Sequence, residues 1–147
     1  MSYDLDRFKI KQQREYEIAL SEIKRGCKET HWMWYIFPQL VGLGRSSTSE
    51  TYGIKNLQEA MAYMQDPVLK EHLLTISGEL LQLTTNNVRE VFNAPDDKKL
   101  KFCMTLFAIA TPENKVFQKV LDKFFGGQKD KKTLRLLEKN MQIDKLK

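Results

Sequence analysis

The chain has 147 residues, 41% of them apolar and 29% charged, with a net charge of +5. That length suits one ordinary domain, able to bury roughly 70% of the surface its unfolded chain exposes, and the composition excludes a disordered chain. The longest apolar run, 32–37, is six residues against the roughly 20 that a membrane span needs, so no spanning helix is expected.

The charged opening Tyr3-Asp4-Leu5-Asp6-Arg7 holds no apolar stretch followed by a small-residue cleavage site. No secretory signal is read there, and the expected location is the cytoplasm. Cys27 and Cys103 stand far apart and outside any Cys-x-x-Cys pair, so two buried free thiols in a reducing compartment are expected. Two histidines and two cysteines, each standing singly, offer no metal-ligand spacing, and neither metal nor cofactor is expected. The positive charge is uneven: residues 128–147 hold seven basic and three acidic residues, which is +4 of the +5. Such a segment is either a solvated helix face or a surface for nucleic acid or another acidic partner.

The first predicted helix covers 4–25, because Leu5, Phe8, Gln12, Tyr16, Ala19 and Ile23 recur at three- and four-residue steps on one stripe. Ser2 or Asp4 can cap it, and Gly26 suits the left-handed position past its end. Gln12 interrupts the stripe, either as a satisfied polar group at the edge of the core or as a group facing a pocket. Thr30 can cap a second helix, which Pro38 ends by disfavouring helical geometry at Phe37. The aromatic run between them also fits a buried strand, since Trp, Tyr, Ile and Phe favour strands. No partner strand with an alternating pattern stands elsewhere, so a helix of two short turns is the reading. Gly42-Leu43-Gly44 and Ser46-Ser47-Thr48-Ser49 then make a turn-rich loop.

Thr51 to Gln65 carries Ile54, Leu57, Met61 and Met64 at helical spacing. Asp66-Pro67 restarts the chain as cap and first helical residue. The clearest amphipathic stripe follows, in Leu69, Leu73, Ile76, Leu80 and Leu83. Asn86 or Asn87 caps a brief helix over 88–92. Ala94-Pro95-Asp96-Asp97 begins the next, with Leu100, Met104 and Phe107 inward. Thr111-Pro112-Glu113 repeats that device ahead of Phe117, Val120, Leu121 and Phe124, and Gly126-Gly127 stops the element. Asp130 starts a last helix carrying Leu134, Leu137 and Met141. With no repeat, linker or low-complexity tract, the expectation is all-α: a single compact domain of seven or eight short to medium helices over 1–147.

Candidate chemistry gathers on His31-Trp32-Met33-Trp34-Tyr35-Ile36-Phe37-Pro38-Gln39 and the Gly42-Leu43-Gly44-Arg45 that follows. Large aromatics supply much of a core's buried area, so central packing is the simpler role of this run. Yet His31, Gln39 and Arg45 flank it, and an aromatic wall with a few convergent polar groups is the usual composition of a small-ligand site. Trp32 and Trp34 are the candidate walls. His31 titrates near neutrality and is the candidate acid–base group, although a lone histidine at a helix start is more often a surface residue. Gly42 and Gly44 let backbone N–H groups approach an anion and Arg45 can clamp it; without a preceding strand the same residues make a plain turn. Lys99 can reach an anion if its helix packs beside the aromatic segment.

These residues also carry a resemblance. His31-Trp32-Met33-Trp34-Tyr35-Ile36-Phe37-Pro38-Gln39-Leu40 with Gly42-Leu43-Gly44-Arg45-Ser46 resembles the signature of DUF1810, a family of small bacterial proteins of unknown function. Leu5-Asp6-Arg7-Phe8, Asp66-Pro67-Val68-Leu69, Pro95-Asp96-Asp97, Met104-Thr105-Leu106-Phe107 and Phe124-Phe125-Gly126-Gly127 match it as well. The resemblance covers about 4–139. It implies one mainly helical domain and brings no assigned activity or catalytic residue.

Three functions remain in view. The first is binding of a small anionic or nucleotide-like ligand in a pocket beside His31–Arg45, through Trp32, Trp34, Gln39, Gly42, Gly44, Arg45 and Lys99. The second is a protein–protein interaction module without catalysis, a homodimer included. The third is weak, salt-dependent nucleic-acid binding through the basic C-terminal segment, ranked last because no reader motif stands in the chain.

Overall fold

The computed structural model describes residues 3–146, with side chains as far as Asn140. Among them are nine helices: α1 (Asp6–Arg25), α2 (Met33–Ile36), α3 (Ser47–Thr51), α4 (Leu57–Gln65), α5 (Pro67–Leu81), α6 (Val88–Val91), α7 (Asp96–Ala110), α8 (Val116–Phe125) and α9 (Lys131–Leu146). The α5 stripe buries Leu69, Leu73, Ile76 and Leu80 completely, and its start is the expected one, with the Asp66 carboxylate accepting from Val68 and Leu69 N–H and Pro67 as first residue. α5, α8, α7 and α4 pack in a closed ring around Tyr63, Phe107 and Phe117, all fully buried. α1 lies on α5, α2 on α1, and α9 on α7. No helix among the described residues is long and apolar enough to cross a membrane.

Several boundaries differ from the sequence reading, each for a local reason. The expected helix over 51–65 is two elements. Gly53 comes so close to the backbone of Val41 that an added Cβ would stand 2.9 Å from its Cα. There Val41 N–H donates to Ile54 O and Ile54 N–H to Gln39 O, at 2.8 Å each, an isolated parallel bridge that holds the chain extended between α3 and α4. The expected serine loop is partly the short α3, because the Ser46 hydroxyl accepts from Ser49 N–H and caps it. Asn56 caps α4 in the same way. α2 is a single turn starting after Trp32, since Thr30 spends its hydroxyl elsewhere. Thr111 bonds back to Phe107 O, so α8 begins only at Val116. Cys103 is buried as expected, whereas Cys27, just past Gly26, is exposed. Asp130 caps α9 through Thr133, Leu137 is buried there, Ser2 lies outside the described residues, and Met141 lies beyond the described side chains.

Two charged residues of α1 fasten the rest to it. Arg7 forks onto Glu59 of α4 at 3.0 and 3.2 Å and also donates to Thr51 O and Gly53 O, bracing the bridge. Glu22, only 2% exposed, accepts four hydrogen bonds from the segment that leaves α1: from Glu29 N–H at 2.7 Å, Thr30 N–H at 3.0 Å, the Thr30 hydroxyl at 2.6 Å and Trp32 Nε1–H at 3.0 Å. Burial pushes this carboxyl up, but the donors of Thr30, Glu29 and Trp32 outweigh it and hold it at about 2.

Because the folded carboxyl sits below its ordinary value of 4.5, the stability Glu22 contributes is complete above about pH 5 and is lost as the pH falls toward 2. Glu22→Gln is expected to cost about 3 kcal/mol at pH 7 and much less at pH 2.5, since each tenfold change in proton affinity is worth about 1.4 kcal/mol. Urea unfolding of both proteins at the two pH values measures it, and equal losses at both would refute the assignment.

Candidate functional site

The cleft nearest the aromatic segment is built from residues far apart in the chain. Trp32 is 1% exposed, with its N–H committed to Glu22 and its ring against Phe37 and Phe92. Trp34, two residues on, is half-buried and turns the other way, its six-membered ring lying against Gly44. A Cβ on Gly44 would stand 2.6 Å from that ring and 2.7 Å from Ser49 Cβ, so only glycine admits the approach. Both tryptophans line the cleft, Trp32 from within the core and Trp34 as a half-buried side.

Opposite Trp34 stands the first turn of α7. The Lys99 ammonium lies 5.1 Å from the centre of the Trp34 ring, within cation–π range, and donates to Asp96 Oδ1 at 3.2 Å. Lys28, held by its N–H to Val91 O, brings its ammonium to Asp96 Oδ2 at 2.8 Å and to Thr30 O at 2.6 Å. It also faces the Trp32 ring at 4.9 Å. Burial raises the Asp96 carboxyl, but the ammonium groups of Lys28 and Lys99 outweigh that and lower it, so it is ionised at neutral pH. Two lysines against one aspartate leave the cleft positive. Its volume is about 270 Å³, with His31 and the hydroxyls of Ser46 and Thr48 on the rim. A depression of about 350 Å³ continues from it past Pro95 and shares Lys28, His31, Asp96 and Lys99.

Of the remaining candidate residues, only His31 borders the cleft. His31 is exposed, and its carbonyl accepts the Tyr35 hydroxyl at 2.9 Å. Gln39 is fully buried, donates to Phe37 O at 3.1 Å, and lines neither hollow. Gly42 takes a left-handed turn with φ of 98° beside Leu136. Gly44 serves Trp34 as described, and Arg45 is exposed next to Ser46. Lys28 and Asp96 join the site without having been singled out for it. Asp96 carries the expected mark of a helix start, and no local signal links Lys28 to a residue 68 positions away. Among the described residues no group of three or more His, Cys, Asp or Glu side chains stands together as a metal site requires.

The fold and cleft define a class: a mainly helical single domain with a lysine-bordered, tryptophan-walled hollow at the start of one helix. The chain belongs to the family described as "Protein of unknown function (DUF1810)", which it matches over residues 2–137. It is similar to the crystal structure of the conserved hypothetical protein Rv1873 from Mycobacterium tuberculosis, with 43% identity and a TM-score of 0.91 over 92% of this chain and 97% of that one. No curated protein matches it.

Gly44→Ala tests the wall. It is expected to cost about 1–3 kcal/mol, the usual cost of overpacking, and to change the tryptophan fluorescence by displacing Trp34. Thermal unfolding and emission spectra measure both, and an unchanged spectrum would contradict the contact.

Proposed function

We propose that the cleft binds a small anionic, nucleotide-like ligand. The observation that carries this reading is the convergence of Lys28 and Lys99 on Asp96 beside the Trp34 ring. An ammonium has three N–H donors. Among the described residues Lys99 spends one of its own on Asp96 and Lys28 spends two, on Asp96 and Thr30. Each keeps a donor for a phosphate or carboxylate oxygen. The N–H groups of the first α7 turn add positive potential at the same place. Trp34 is the stacking surface for a ring, and His31 stands at the rim within the reach of a bound group.

In this reading Lys99 and Lys28 hold the charge, Trp34 holds the ring, and Gln39, Gly42 and Gly44 serve from behind by shaping the segment. Arg45, one residue from the rim, adds long-range attraction. The size of the hollow suits a phosphate with part of a nucleoside, the rest lying in the adjoining depression.

A thermal-shift series with inorganic phosphate, pyrophosphate and AMP on the wild type, Lys99→Gln and Arg45→Ala tests this. A ligand at 100 times its Kd adds about 2.7 kcal/mol, a rise of a few degrees at this size. Lys99→Gln is expected to weaken binding about tenfold or more, which is about 1.4 kcal/mol, and Arg45→Ala less. If none of the three anions raises the melting temperature, the reading fails and an interaction module without a ligand takes its place.

A further inference from the structure

His72, the second of the two histidines, borders a hollow that shares no residue with the cleft just described. This hollow, about 370 Å³ between α1 and α5, is within the size range of ligand pockets. Its wall includes Gln12, Tyr16 and Val68, the last 48% exposed.

The protonation of His72 follows from its partners. Gln12, 2% exposed, places its Nε2 2.8 Å from Tyr35 O and 2.8 Å from the Tyr63 hydroxyl. A backbone carbonyl only accepts, so the amide NH2 must face Tyr35 and the amide oxygen must face the other way. That oxygen lies 2.8 Å from His72 Nδ1 and also only accepts, so Nδ1 carries the hydrogen. Neutral His72 therefore exposes a lone pair on Nε2, which has no partner among the described residues. Tyr16 fixes the plane of the ring, stacked at 3.7 Å and 9°.

We propose that the α1/α5 hollow is a second binding site, for a flat nitrogen compound such as an amino-heteroaromatic or an amidine that donates an N–H to His72 Nε2. A donor to Nε2 must approach in the imidazole plane that Tyr16 sets, and Val68 is part of the wall of the same hollow. The surrounding charge selects a donor over an anion. Lys9 is neutralised by Asp66 at 2.6 Å, while Glu17 lines the hollow and Glu71 adjoins His72 on α5. Burial lowers the imidazole pKa against those two carboxylates, which keeps the lone pair free at neutral pH. The site is chemically the reverse of the lysine-bordered cleft and is independent of it.

With only two histidines, long-range 1H–15N spectra of the ring nitrogens decide the matter, using His72→Phe to assign them and adenine, cytosine and benzamidine as probes. The expected result is the Nδ1–H form for His72 in the free protein. At least one probe then shifts Nε2 of His72 and the Val68 methyl groups but leaves His31 in place. Val68→Arg, which sets a bulky cation in the wall at an exposed position, is expected to weaken that binding at least tenfold. An Nε2–H form, or spectra of His72 unmoved by all three probes at several millimolar, overturns the proposal.

Discussion

The aromatic segment keeps its place because one buried carboxylate holds the backbone that leads into it. After Gly26 the chain must leave α1, turn, and re-enter the core at Trp32, exposing the N–H groups of Glu29 and Thr30 on the way. Glu22, one turn before the end of α1, satisfies both of them together with the Thr30 hydroxyl and the Trp32 indole. A neutral acceptor of the same size could not receive four donors without losing charge-assisted strength. Fastened there, Trp32 packs inward, and the single turn of α2 then swings Trp34 outward toward α7. Lys28, inside the same turn, is thereby carried to Asp96.

Gln12 plays the matching part on the opposite side. Its amide bridges the Tyr35 carbonyl of the aromatic segment, the Tyr63 hydroxyl of α4 and His72 of α5. Each of its polar atoms is spent, which is why a polar residue can sit in the apolar stripe of α1 without the cost of an unpaired buried group. The two hollows share no residue: one is lined from the aromatic segment and the start of α7, the other from α1 and α5. The cleft at α7 draws on lysines and a helix start, whereas the hollow between α1 and α5 presents an imidazole lone pair, with Glu17 in its wall and Glu71 next to His72.

What could be read from the chain were features set by neighbours in sequence. The stripe of α5, its Asp66-Pro67 start, the Gly26 stop after α1 and the all-α class follow from periodicity and caps, which act over one to four residues. The aromatic run was recognisable as packing for the core, and Lys99 as a cation that could reach it. Membership of the DUF1810 family was legible in the same residues, since a decapeptide with four aromatics is distinctive even where its use is not. The serine-rich stretch misled for a physical reason: capping residues and loop residues are the same types, and only a bond such as Ser49 N–H to Ser46 distinguishes the two.

By itself, then, the sequence determined the helical class, most of the core and the segment around which the site forms. Only the tertiary structure decided that Trp32 is buried while Trp34 stays half-buried, that Gly44 admits the approach of Trp34, and that Lys28 and Lys99 meet at Asp96. It alone decided the tautomer of His72, through a glutamine 60 residues away. These are all consequences of side chains brought together by helix packing across long separations, and no periodicity records them. Helix formation answers to local spacing; a binding site answers to the handful of long-range contacts that the packed helices permit.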